Sequence, residues 1–93
     1  MTEKMNYILA HRGLFWSVSD AQIARISDTL LVETILNYGN LEDVKALFAL
    51  LDTQEVARIL RTTTTARSRH NYFPEVLNFF NLYFNRHAPI HTV

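Results

Sequence analysis

Asn40-Leu41-Glu42-Asp43-Val44-Lys45-Ala46-Leu47-Phe48-Ala49-Leu50-Leu51 is the stretch that decides the fold. Leu41, Val44, Leu47, Phe48 and Leu51 recur at steps of three and four residues, which places one apolar stripe on a helix. Asn40 is a good N-cap, because its side-chain oxygen accepts an otherwise orphan backbone N–H. Glu42 and Asp43 put negative charge in the first turn, where the helix dipole favours it. Gly39, just before the cap, stands where the preceding helix needs a left-handed C-terminal residue, a conformation that costs glycine no steric penalty. One helix therefore begins where another has only just ended.

The same pattern continues in both directions. Upstream, Ser27 or Asp28 opens a helix from Thr29 to Tyr38 carrying Leu30, Leu31, Val32, Ile35 and Leu36. Apolar over most of its circumference, that helix belongs at the centre. The apolar cluster Leu14-Phe15-Trp16 comes earlier, and Ser19 or Asp20 caps a short helix running to about Ile26. Downstream, Asp52 or Thr53 separates the decisive helix from a short one, Gln54 to Arg61, that buries Val56, Ile59 and Leu60. Four Thr in a helix interior would cost roughly 2 kcal/mol relative to Ala, so Thr62–Thr65 are expected to form a loop reaching Tyr72. Phe73-Pro74 starts a last helix, Pro74 to Phe84, with Pro at its favoured first position. Residues 86–93 read as a polar tail. The expected fold is all-α, a single domain of four to five short helices with its core at about residues 14–85.

Composition agrees with that class. The chain has 93 residues, 48% hydrophobic and 19% charged, with two Gly and two Pro. So few turn-formers speak against a barrel or sandwich of many short strands. The absence of Cys excludes disulfides, a thiolate nucleophile and Cys-based zinc sites. The longest apolar run, Ala46–Leu51, falls far short of the roughly 20 residues of a membrane span, and no signal-peptide pattern is present, so a cytoplasmic protein is expected. Net charge is zero but unevenly distributed. Residues 1–55 carry four basic and eight acidic groups, and residues 56–93 carry five Arg and one acid, Glu75.

No constellation carries chemistry. His87 and His91 have helical metal-ligand spacing, but Pro89 lies between them and no third ligand is indicated. His11 and His70 read as surface or boundary residues. Gly13 and Gly39 are isolated, so there is no phosphate loop, and no cofactor is expected. Glu42 and Asp43 point in different directions on a helix and read as helix-start residues. The expectation is a protein that is not an enzyme.

Two binding readings remain. In the last helix, Glu75, Asn78, Asn81 and Asn85 occupy an arc of about 120° and apolar residues fill the rest. Phe79, Leu82 and Tyr83 lie off the Phe73, Val76, Leu77, Phe80, Phe84 stripe and are the candidate contact face for a protein partner. The alternative is DNA. Ala46, Leu50, Val56 and Ile59 match the spacing of a helix-turn-helix-like unit, and Arg58, Arg61, Arg67 and Arg69 follow its turn. A homo-oligomer is compatible with either.

Leu14-Phe15-Trp16, the junction Ile35-Leu36-Asn37-Tyr38-Gly39-Asn40-Leu41-Glu42-Asp43, and the later Asn71-Tyr72-Phe73-Pro74 and Asn78-Phe79-Phe80 together resemble a family of small prokaryotic helical proteins. Its pattern is a Leu-Phe-Trp-Asp start, a Tyr-Gly-Asp/Asn-Leu-Glu-Asp junction and a late aromatic-rich helix. Ser17 stands where that family has Asp. The resemblance spans about residues 14–85 and implies an antitoxin-like protein associated with AbiE-type nucleotidyltransferase toxins. It carries over no binding residue, and it casts Leu14-Phe15-Trp16 as an aromatic anchor. The leading expectation is thus a small helical adaptor that binds a partner protein, with a DNA-binding regulator as the alternative.

Overall fold

A computed structural model of the chain describes residues 2–16, 18–19, 21–66 and 71–89. Those residues form five α-helices: α1 (Glu3–Ala10), α2 (Asp28–Tyr38), α3 (Leu41–Leu51), α4 (Thr53–Ala66) and α5 (Pro74–His87). Short 3-10 turns at Arg12–Phe15 and Ile23–Arg25 link α1 to α2, and no strand is present among the described residues. The protein is an all-α bundle. No described helix is long and apolar enough to cross a membrane.

Helix α2 is the central element, in contact with α3, α4 and the first 3-10 turn. Leu31, Val32 and Ile35 are fully buried on it, as its nearly continuous apolar circumference requires. Ser27 caps it by accepting from the Leu30 N–H at 3.1 Å. Helix α3 starts with a complete capping box. The Asn40 side chain accepts from the Asp43 N–H, and the Asp43 carboxylate accepts from the Asn40 N–H, both at 2.9 Å.

The structure corrects several sequence expectations. Gly39 is not left-handed: its φ of −76° and ψ of 159° are extended backbone. Glycine is needed there for space, since a Cβ would lie 2.7 Å from the Ile35 carbonyl oxygen and 3.0 Å from the Asp43 Cβ. Gly39→Ala is accordingly expected to cost about 1–3 kcal/mol through overpacking, seen as a lower urea midpoint. A variant as stable as the wild type would mean that the junction opens without penalty. The left-handed residue is instead Asp52, with φ 74°, in the single-residue link between α3 and α4.

Thr62–Thr65 are not a loop either, because α4 continues to Ala66. Thr63 lies two helical turns beyond Val56, on the buried face with Ile59 and Leu60, and the Thr64 hydroxyl donates to the Leu60 carbonyl at 2.8 Å. Packing of that face outweighs the low helix propensity of threonine. The expected helix from Ser19 or Asp20 to Ile26 contracts to the 3-10 turn Ile23–Arg25. The core also extends beyond residues 14–85. Ile8 of α1 is buried, and α5 runs through Arg86 and His87, whose positive charge suits its C-terminal end. Ala88 is fully buried, with its N–H bonded to the Phe84 carbonyl. Residues 90–93 lie outside the described part.

Asn37 ties the approach to α5 back to α2. Its amide donates to the Asn71 carbonyl at 2.9 Å and its oxygen accepts from the Phe73 N–H at 3.1 Å. Between these contacts Tyr72 turns inward and is only 5% exposed. Burial, and secondarily the charge of Glu33, push its phenol well above the ordinary tyrosine range. A folded-state value above the unfolded one near 10 gives stability that is complete below that pH and lost as pH rises through it. Stability should therefore fall by about 1.4 kcal/mol per pH unit above pH ~10 for a tyrosine that stays protonated in the fold. Tyr72→Phe should flatten that decline in urea titrations; an equal slope in both proteins would remove Tyr72 as its source.

Candidate functional site

The two faces of α5 have different fates. Phe80 and Phe84 point inward and are buried, with Val76 and Leu77 half-buried beside them. Phe84 packs on Phe48 of α3 with ring centroids 5.8 Å apart, and Phe48 also stacks on Tyr83 at 5.8 Å. On the outer side Phe79 is 58% exposed and Leu82 65% exposed. Tyr83 sits at the boundary, half-buried between Phe48 and His87. Of the three candidate contact residues, two are thus open to solvent and the third forms a wall.

That wall belongs to a groove between α3 and α5. Leu36, Leu41, Val44, Phe48, Phe79 and Tyr83 line its apolar surface, Lys45 and Glu75 stand on its rim, and its volume is about 520 Å³. Leu41 is 68% exposed at its edge. The groove exists because α3 and α5 run side by side in the same sense, Leu41 and Val44 near Val76 and Phe79, Phe48 near Tyr83 and Phe84. Large side chains hold the two helices apart, and the space between them stays open. Scattered exposed apolar residues are ordinary, but two more than half exposed on one apolar groove, Leu41 and Phe79, make a surface suited to binding.

The aromatic anchor near the N-terminus is Phe15 alone. It is buried, whereas Trp16 is 78% exposed. The 3-10 turn separates neighbours by about 120°, so consecutive residues cannot both face the core. Trp16, with Tyr38 and Phe73, borders a second, smaller hollow of about 350 Å³. The Tyr38 and Phe73 rings meet edge-to-face at 5.3 Å there.

The arginines are arranged differently from a basic cluster. Arg58 is exposed and pairs with Glu55 one turn away, which holds the Glu55 carboxyl below its ordinary range. Arg61 is half-buried, and its Nη2 is enclosed without a hydrogen-bond partner among the described residues. Both border an open depression that also contains Asp52 and Glu55, so two acids face two arginines. Arg67, Arg69, His70 and His91 lie outside the described residues. The one-residue link at Asp52 is shorter than the three- or four-residue turn of a DNA-binding helix-turn-helix.

One polar centre was not anticipated. His11, whose sequence context suggests a surface or boundary residue, joins α1 to α3. Its Nε2 lies 2.9 Å from Asp43 Oδ1, its Nδ1 lies 2.8 Å from the Tyr7 carbonyl, and its ring stacks on Tyr7 at 4.2 Å. The Tyr7 hydroxyl donates to the Asp43 carbonyl at 2.7 Å. Burial first, and the Asp43 charge second, raise the Tyr7 phenol above its ordinary range. A His–Asp pair is a general acid–base arrangement in other settings. Here both ring nitrogens lie against acceptors within the fold, so the pair joins α1 to α3. The Tyr7 and His11 spacing of four was the one sequence signal for it. No group of three or more His, Asp or Glu able to hold a metal occurs among the described residues. Comparison of the chain with protein-family models, with curated proteins and with solved structures returns no match.

Proposed function

We propose that this chain is a small non-enzymatic adaptor of the cytoplasm that binds a partner protein through the groove between α3 and α5. The supporting observation is the open apolar groove lined by Leu41 and Phe79, both more than half exposed. Its shape and composition suit an amphipathic partner helix, whose apolar side would fill the groove while polar residues stay in water. The resemblance noted in the sequence makes an antitoxin-like role, with a nucleotidyltransferase-type toxin as the partner, the specific form of this reading.

DNA binding by the Arg58 to Arg69 region is the competing reading, and the pairing of Arg58 with Glu55 counts against it. The two respond differently to salt. Four arginines on phosphates would give log affinity a slope of about −3.6 against log salt, whereas an apolar groove responds little. The test is capture of partners by the tagged chain from lysate of its source, with and without nuclease, repeated with Leu41→Ala and Phe79→Ala. A stoichiometric protein that survives nuclease and 200 mM-range salt, and is lost by more than about tenfold in both variants, is the expected result. Capture that needs nucleic acid, or that is indifferent to both substitutions and lost on Arg58→Ala, would replace this reading with the other.

A further inference from the structure

The exposed face of α5 is complementary to itself. Glu75, Phe79, Leu82 and Arg86 follow one another at steps of four, three and four, and so share an arc of about 60° along the helix. All four are exposed, and neither Glu75 nor Arg86 has an ion-pair partner among the described residues. The stripe reads acid, apolar, apolar, base. A two-fold axis midway between Phe79 and Leu82 reverses that order in a second copy. It brings Glu75 opposite the second copy's Arg86, and Phe79 opposite the second copy's Leu82. An isologous contact requires each residue to meet a complement at its mirrored position, and this stripe satisfies that along its full length.

The geometry points to a homodimer in which two α5 helices pair antiparallel across this stripe, rests on the reading of α5 as a contact face, and makes a second copy the occupant that covers the groove edge when no other partner is bound. Antiparallel pairing also opposes the two helix dipoles. A helix of 14 residues is about 21 Å long, so pairing along it occludes a few hundred Å² per copy, against about 800 Å² in a stable complex of ordinary size. The dimer is therefore weak and exchangeable. A partner helix that fills the whole groove displaces it, because both use Phe79.

Glu75 and Arg86 also complement the dipole of their own helix, and charge reversal separates that role from pairing. The measurement is sedimentation equilibrium of the full chain over a concentration series, with circular dichroism on the same samples. The wild type should move from the 10.8 kDa monomer toward twice that mass as concentration rises through the micromolar range. Glu75→Arg and Arg86→Glu should each weaken association by about tenfold, since each turns two attractive contacts repulsive. The double variant should return to within about threefold of the wild type. A role in the helix dipole alone would lower the thermal midpoint of all three variants and leave the mass curves unchanged. A mass fixed at the monomer, or single reversals without effect, or a double variant no better than the singles, would overturn the dimer. Partner capture that still depends on Phe79 in a strictly monomeric chain would leave the adaptor reading standing without it.

Discussion

Phe84→Ala should lower stability by about 3–5 kcal/mol, while Phe79→Ala, five residues away on the same helix, should change it by less than about 1 kcal/mol. Phe84 is 1% exposed and lies in ring contact with Phe48, Phe80 and Tyr83. Truncating it removes its burial and leaves a cavity between α3 and α5 that these large neighbours cannot fill. Phe79 keeps 58% of its surface in water, so alanine there gives up little. A domain of this length has a total stability of order 5–14 kcal/mol, so the first substitution takes a large fraction of it. Its thermal midpoint should fall by roughly 15–30 °C. Equilibrium urea denaturation followed by circular dichroism measures both. Equal costs at the two positions would mean that α5 is not seated by its inner face, and the outer face could then no longer be assigned to binding.

That division of α5 was legible in the sequence because it depends on local periodicity. Helical geometry fixes which residues share a face, and the polar arc of Glu75, Asn78, Asn81 and Asn85 marks the outer side. The start of α3 was legible for the same reason, since a cap and its box lie within four residues. Expectations failed where the deciding interaction was tertiary. Thr62–Thr65 carry a poor helix propensity that burial of the Val56, Ile59, Leu60, Thr63 face outweighs. Gly39 was assigned to its position correctly and for the wrong reason, because the approach of α3 to the end of α2 sets its surroundings and its own conformation does not. Trp16 was grouped with Phe15, and only the 3-10 geometry separates them.

The groove itself could not be read from either helix alone. Leu41 belongs to the amphipathic pattern of α3 by sequence and is 68% exposed in the fold. Its stripe mates are covered by α2 and α4, and α5 stands off at the distance set by Phe48, Tyr83 and Phe84. Periodicity says which residues are apolar together; the width of the space that remains depends on the volumes packed between two helices whose touching residues, Phe48 and Tyr83, are far apart in sequence.

Asp43→Ala is expected to cost about 2–3 kcal/mol, more than a surface carboxylate ordinarily contributes, because one side chain serves two helices. Its Oδ2 accepts the Asn40 N–H that closes the capping box, and its Oδ1 meets His11 Nε2. Loss of the cap bond and of the first-turn charge accounts for about 1–1.5 kcal/mol. Loss of the His11 contact, half-buried and charge-assisted on the carboxylate side, accounts for most of the rest. Two contacts survive the substitution: the bond from the Asp43 N–H to the Asn40 side chain, and that from the Tyr7 hydroxyl to the Asp43 carbonyl. Helix α3 should therefore persist while α1 loosens against it. His11→Ala and the double variant complete a cycle whose coupling energy should be about 1 kcal/mol. The phenol of Tyr7 provides a readout independent of stability, because the Asp43 charge is the second cause of its raised value. In Asp43→Ala an ultraviolet titration should find that tyrosine moved back toward the ordinary range, though still above it through burial. Additive costs together with an unmoved Tyr7 titration would show that α1 is held by Ile8 and its apolar neighbours alone, and that the polar contacts around Asp43 follow from the packing of α1 without securing it.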